Sequence, residues 1–192
     1  YTSITTGQLQ QTYTLPTSIR GKPDRVYLGT RPTAKTVAEN EKTDPSFENW
    51  SSTTALSSWT LSGTGSSVNQ EEQTSNPKNY MVLEEQYSAR LKSNASDETT
   101  LLQTVTPSVS TERVEANLTC WVYNTQTADA VTIRIASTDS AAHGGTGWEQ
   151  LSVSATIGEA TTVSVGVAIA TATAGVFSVY VDEIILILGQ TE

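Results

Sequence analysis

Residues 112–124 read ERVEANLTCWVYN. In this stretch, small or apolar side chains alternate with polar or aromatic ones. Because successive side chains of a β-strand point to opposite faces of its sheet, a period of two predicts a strand with two different faces. One face carries Val114, Ala116, Leu118, Cys120 and Val122, and we predict that it faces the core. The opposite face carries Glu115, Asn117, Thr119, Trp121 and Tyr123.

Similar short runs lie on both sides of this strand. In residues 131–135, Thr132 and Arg134 alternate with three β-branched residues, and residues 176–188 form a nearly all-apolar run that reads as a central strand. Further runs of the same kind lie at 87–91, 101–105, 151–155 and 163–169. Turn-forming residues separate the runs, and no helical periodicity is present. Seven or more short strands predict an all-β fold, an antiparallel β-sandwich of the jelly-roll type.

Composition excludes several classes of protein. The chain has 192 residues, of which 16% are charged and 54 are serine or threonine, which disfavours coiled coils and long helices. The sequence contains no run of about eighteen apolar residues, so it predicts no transmembrane helix. The single cysteine, Cys120, excludes an intramolecular disulfide framework and a cysteine-based zinc site. The single histidine, His143, excludes multi-histidine metal chemistry, and its glycine-rich surroundings predict an exposed loop.

The first 45 residues differ from the remainder. They hold four of the six prolines, and we predict an extended, basic N-terminal arm at 1–45, followed by the jelly-roll domain at 46–192. Residues 1–42 carry six basic and three acidic groups, whereas the whole chain has a net charge of −9. The acidic body disfavours binding to nucleic acid. The arm suits an acidic partner such as a neighbouring subunit. Alternatively, it is a solvated segment whose charge distribution has no functional meaning.

Seven short motifs follow one another in the order found in jelly-roll carbohydrate-binding modules, and the chain resembles families 4, 9 and 22 of these modules over about three quarters of its length. The motifs are DPSFENW at 44–50, W-T-L at 59–61, SARL at 88–91, LLQTV at 101–105, LTCWV at 118–122, WEQLSV at 148–153 and VYVDEI at 179–184. The resemblance implies a jelly roll. It also implies one structural Ca²⁺ that joins Glu48 of the opening motif to Asp182 of the closing motif, because calcium takes six to eight oxygen ligands. Alternatively, Asp182 ends a strand or pairs with a lysine.

A glycan-binding face is the second expectation. A sugar ring has an apolar face and a rim of hydroxyl groups, so its site combines an aromatic platform with planar polar groups. Candidates of this kind are Trp121, Tyr123, Asn117 and Glu115, with Gln103 and Arg134 on neighbouring strands. We expect all six on one face if their strands are adjacent. In the alternative, Trp121 is a framework residue covered by residues 51–74 or by another subunit.

We do not expect an enzyme. A glycosidase needs two positioned carboxylates, and the sequence singles out no such pair. No G-x-S-x-G motif surrounds a serine. We predict a non-catalytic surface module of a larger assembly, such as a phage virion decoration, tail or fibre component, whose body contacts glycans at the virion surface or outside the cell. Its partners would be neighbouring structural subunits, bound through the arm, and polysaccharide, without nucleic acid or membrane insertion. The alternative is an ancillary carbohydrate-binding module of a secreted polysaccharide-degrading enzyme.

Overall fold

The computed structural model describes residues 44–75, 78–106, 114–127, 129–157, 162–173 and 175–190. The arm predicted at 1–45 therefore lies almost entirely outside the described residues. In these ranges, no helix has the length and apolarity needed to cross a membrane.

The described residues form twelve strands. They are β1 Trp50–Ser52, β2 Ala55–Leu56, β3 Thr60–Ser62, β4 Ser67–Glu72, β5 Tyr87–Lys92, β6 Thr99–Val105, β7 Val114–Asn124, β8 Val131–Ile135, β9 Thr138–Asp139, β10 Gly147–Ile157, β11 Val163–Ile169 and β12 Ser178–Gln190. The first five-stranded sheet has the order β10-β7-β12-β5-β4, and the second has the order β3-β6-β11-β8-β9. All neighbouring strands are antiparallel. The predicted all-β antiparallel sandwich is confirmed.

The core lies between the two sheets, and the alternation in β7 sets one side of it. Ala116, Leu118, Cys120 and Val122 are fully buried, as the period of two predicts. The second sheet contributes the β-branched rows of β8 and β11, whose inward side chains are also buried. A sheet with one buried and one outer face follows directly from this alternation. The first sheet therefore presents the other row of β7 on its outer face.

A β-bulge changes the direction of the side chains in β12. The register between β12 and β7 shifts between Asp182 and Ile185, and Glu183 has a φ of 47°. A bulge adds one residue to a strand and redirects the side chains beyond it. Val181 and Ile184 both reach the core, whereas Asp182 stays in the outer row beside Trp121. Asp182 thus faces outward by the regular alternation that precedes the bulge, and the bulge returns Ile184 to the core.

The expectation that His143 is exposed was wrong. Its side chain is only 2% exposed. The ring Nε2 lies 3.1 Å from the carbonyl oxygen of Val122 and 3.0 Å from that of Gly147. Gly145 donates its backbone N–H to Nδ1. The imidazole thus joins the glycine-rich loop to β7 and β10, and its Nδ1 also lies 3.3 Å from the carboxylate of Glu149.

Candidate functional site

Three aromatic side chains lie side by side across the outer face of the first sheet. Tyr123 of β7 is the cross-strand partner of Trp148 on β10 and of Tyr180 on β12. The ring centroids of Tyr123 and Trp148 are 5.6 Å apart, and those of Tyr123 and Tyr180 are 6.0 Å apart. Both pairs are edge-to-face, which is a favourable arrangement for aromatic rings. We call Trp148, Tyr123 and Tyr180 the aromatic row.

Residues 79–86, which we call the strap, cross the same outer face next to the aromatic row. Asn79 ties the beginning of the strap to β4, since its Nδ2 donates to the Glu71 carboxylate and to the carbonyl oxygen of Glu72. Ser88 of β5 donates its hydroxyl to the carbonyl oxygen of Met81 over 2.7 Å. The strap is thereby held against the sheet rather than projecting from it.

Tyr80, the second residue of the strap, contacts the aromatic row through its backbone. Trp148 donates its indole N–H to the carbonyl oxygen of Tyr80 over 2.7 Å. The side chain of Tyr80 itself is 72% exposed, an unusual position for a large aromatic ring. The backbone of Tyr80 therefore lies at the edge of this surface, while its ring is open to solvent.

Asp182 anchors the middle of the strap. Its Oδ2 accepts backbone N–H bonds from Leu83 at 3.0 Å and Glu84 at 3.2 Å, and its Oδ1 accepts one from Glu183 at 2.9 Å. Burial raises the pKa of Asp182 to about 7, although these amides oppose the rise. Burial likewise raises the pKa of Glu48, whose Oε1 accepts the N–H groups of Gln86 and Tyr87.

These two carboxylates are the pair for which the family resemblance implies calcium. Backbone N–H donors point at both, whereas calcium needs carbonyl and carboxylate oxygens pointing at the ion. Among the described residues, no group of three or more His, Cys, Asp or Glu side chains could hold a metal ion. As arranged here, Glu48 and Asp182 hold the strap through its backbone N–H groups, and the calcium that the resemblance implies stays a prediction.

Four of the six predicted glycan-contacting residues share the outer face of the first sheet. They are Glu115, Asn117, Trp121 and Tyr123, all on β7. Trp121 is half-buried and lies opposite Asp182 and Gln150, one position along the strands from the aromatic row. Asn117 accepts a hydrogen bond from the hydroxyl of Ser154 over 2.6 Å. The four residues therefore share one outer face, and the ring contacts on that face centre on Tyr123 rather than on Trp121.

Gln103 and Arg134 do not lie on this face, because β6 and β8 belong to the second sheet. Gln103 is buried and donates its side-chain amide to the carbonyl oxygen of Ser58. Arg134 makes paired hydrogen bonds to both Glu98 and Asp139, which hold its pKa well above the ordinary value. The expectation that these strands adjoin β7 was wrong, since alternation shows which face a residue takes but not which sheet its strand joins.

Sequence reasoning missed Trp148, Tyr180 and Tyr80 as members of this site. Alternation alone places Trp148 opposite buried Leu151 in β10, and Tyr180 opposite buried Val179 in β12. These residues come together because β10, β7 and β12 are adjacent in the sheet. A local sequence pattern does not show which strands are adjacent. A search for outward aromatic residues in all long strands would have flagged both.

Neither a protein-family model nor a curated protein matches the sequence. Solved structures do match in fold. TmCBM61, solved with β-1,4-galactotriose, is 16% identical with a TM-score of 0.52, over 77% of this chain and 97% of that one. The CBM22-1 xylan-binding domain of Paenibacillus barcinonensis Xyn10C is 13% identical with a TM-score of 0.50, over 77% and 93% of the two chains.

A phage protein has a domain of the same architecture. The enzymatically active domain of tailspike protein 4 from bacteriophage CBA120 is 19% identical with a TM-score of 0.50, over 78% of this chain. The match spans only 21% of the tailspike chain. At these identities the likeness concerns the fold. The chain has the jelly-roll β-sandwich fold that carbohydrate-binding modules share.

Proposed function

We propose that this protein is a non-catalytic surface module that binds polysaccharide on the outer face of its first sheet. The observation that carries the proposal is the aromatic row, in which Trp148, Tyr123 and Tyr180 come from three adjacent strands at one level of the register. Similarity in fold to a galactotriose-bound module and a xylan-binding domain supports the same reading.

The dimensions of the row suit a chain of sugars rather than a single one. Neighbouring strands are about 4.8 Å apart, so the row extends about 10 Å from β10 to β12. Aromatic rings bind the apolar faces of sugar rings, and adjacent polar side chains then bind their hydroxyl groups. On the same face, Asn69 and Gln150 supply amide groups. A polysaccharide segment lying across the strands would contact both kinds of group.

The experiment is a glycan array with the full chain, followed by titration calorimetry with the strongest ligand. Trp148→Ala should weaken binding at least about tenfold, because it removes one ring of the row. Thr104→Ala, an exposed position on the second sheet, is the control and should bind as the parent does. Absence of binding across neutral and acidic polysaccharides would reject the proposal. Release of new reducing ends during incubation would reject the non-catalytic part.

For the biological setting, we favour a component of a larger assembly, such as a phage decoration, tail or fibre protein, at the virion surface. The tailspike domain of the same fold supports this setting. The xylan-binding domain supports the alternative, an ancillary module of a secreted enzyme. Sedimentation velocity of the full chain, with and without residues 1–43, separates them. The assembly proposal expects an oligomer that needs the arm, whereas the enzyme-module alternative expects a monomer in both cases.

A further inference from the structure

Two cations stand directly beside the aromatic row. In β5, Ala89 and Leu91 are fully buried in the core. Because side chains alternate along a strand, Arg90 and Lys92 point to the outer face. Arg90 is the cross-strand partner of Tyr180. Directly opposite residues in an antiparallel pair have Cβ atoms about 5 Å apart. The positive charges therefore adjoin the end of the row formed by Tyr180.

Cations are scarce in this part of the chain. The described residues contain four lysine and arginine side chains, Lys78, Arg90, Lys92 and Arg134, against fourteen aspartate and glutamate side chains. Arg134 is occupied by two carboxylates on the second sheet. Two of the four thus occur as a pair on one strand beside the candidate site.

The guanidinium of Arg90 retains donors for a ligand. Its ion pair with Glu71 has an N–O distance of 3.5 Å, and the Arg90 side chain is 41% exposed. A charge-assisted hydrogen bond between such groups is normally about 2.7–2.9 Å long, and a guanidinium has five N–H donors. The β4 residues opposite the two cations are Asn69 and Ser67, which are neutral. The long contact with Glu71 therefore leaves the exposed guanidinium of Arg90 able to donate to a ligand.

We propose that the polysaccharide bound by the aromatic row carries carboxylate groups, as uronic acid residues do. This inference rests on the proposed glycan-binding function. A uronate ring packed on Tyr180 would place its carboxylate within reach of Arg90, whose planar fork matches a carboxylate in bidentate geometry. Lys92 supplies a second positive charge one position along the strand. Because the described residues carry fourteen acidic side chains against four basic ones, most of the surface around this pair repels a polyanion.

The test compares each acidic polymer with its own carboxyl-reduced form. Polygalacturonate, alginate and glucuronoxylan are titrated into the full chain by calorimetry, and dextran sulfate serves as a sulfate-bearing polyanion. The variants are Arg90→Gln and Arg90→Lys, and Lys78→Gln is the control that removes one positive charge from another exposed position. Thermal unfolding checks that each variant is folded, and Arg90→Lys keeps the test valid if Arg90→Gln does not fold.

We expect at least one uronate polymer to bind at least about tenfold more tightly than its reduced form. Arg90→Gln should remove at least about tenfold of that affinity, while Lys78→Gln changes it less than about twofold. Equal binding of the reduced polymer, with no effect of Arg90→Gln, would overturn the uronate inference and leave the glycan proposal intact. The uronate inference would also be overturned if dextran sulfate bound as tightly as the uronate polymer and Lys78→Gln lost as much affinity as Arg90→Gln. Binding would then be non-specific charge attraction. Failure of every polymer to bind would overturn both proposals.

Discussion

The carboxylate of Asp182 accepts the backbone N–H of Leu83 over 3.0 Å and so joins residues that are 99 positions apart in the chain. The same oxygen accepts the N–H of Glu84. The strap held in this way carries the carbonyl group that Trp148 contacts. One buried carboxylate thus supports the edge of the aromatic row without belonging to it.

The buried position of Asp182 predicts a pH dependence of stability. Its pKa is raised from 3.8 to about 7, chiefly by burial. Between about pH 4 and pH 7 the folded state therefore holds a proton that the unfolded state has lost, and unfolding releases it. The free energy of unfolding should fall as pH rises through this window, by up to about 1.4 kcal/mol per pH unit.

The measurement is urea unfolding at several pH values in the presence of EDTA, comparing the parent with Asp182→Asn. The variant cannot take up the proton, so its stability should depend less steeply on pH in this window. A parent whose stability rises from pH 5 to pH 7, or a variant with the same slope, would contradict the assigned role of Asp182.

Calcium at Glu48 and Asp182 stays a prediction of the family resemblance, and it can be tested separately. Because backbone amides already bind both carboxylates, we expect the thermal midpoint to be the same in EDTA and in millimolar calcium. A midpoint that rises by several degrees with calcium, and loses this gain in Glu48→Gln, would instead establish the ion and require the strap to be rearranged around it.

Gly166 on β11 is expected to tolerate no side chain. A Cβ atom at this position would lie 2.0 Å from the carbonyl oxygen of Leu101 on the neighbouring β6, which the backbone cannot accommodate without moving. Gly166→Ala should lower the free energy of unfolding by about 3 kcal/mol or more. Gly145→Ala is the matched control, since its Cβ would meet nothing within 4 Å. Equal stability of the two variants in urea unfolding would refute this packing.

Arg134 is expected to act as a structural clamp. Its side chain, 21% exposed, extends from β8 across β11 to Glu98 before β6, and it also binds Asp139 of β9. Bidentate pairs in a network contribute more than isolated surface pairs. Arg134→Gln should therefore cost about 1–2 kcal/mol of stability, with glycan binding unchanged. Arg90→Gln should show the opposite pattern, a small stability cost and weaker binding. If Arg134→Gln lost glycan affinity, Arg134 would have to be a glycan-contacting residue after all.

Local patterns were sufficient for the faces of the strands. The alternation in 114–124 correctly separates buried Leu118 and Cys120 from outward Trp121 and Tyr123, because successive side chains of a regular strand point to opposite faces. That regularity was enough to predict the antiparallel sandwich. It also placed four residues of β7 on one face.

The assembly of the face needed information that local patterns lack. Gln103 and Tyr180 both lie in runs that are predicted to be strands, yet β6 joins the second sheet and β12 joins the first beside β7. Strand order is set by packing between segments far apart in the chain. The burial of His143 has a similar origin, since its partner Val122 lies 21 residues away. A glycine-rich stretch predicts a loop but not what its side chains contact.

The indole N–H signals of the four tryptophans offer the sharpest single test of the aromatic row. Trp148 donates to the strap at Tyr80, whereas Trp59 is buried and donates to the carbonyl oxygen of Asp44. In a ¹⁵N–¹H spectrum of the full chain, titrated with the strongest array ligand, we predict a saturable shift of the Trp148 signal and an unchanged Trp59 signal. A ligand that binds while the Trp148 signal stays in place would show that glycans are recognised elsewhere on this protein.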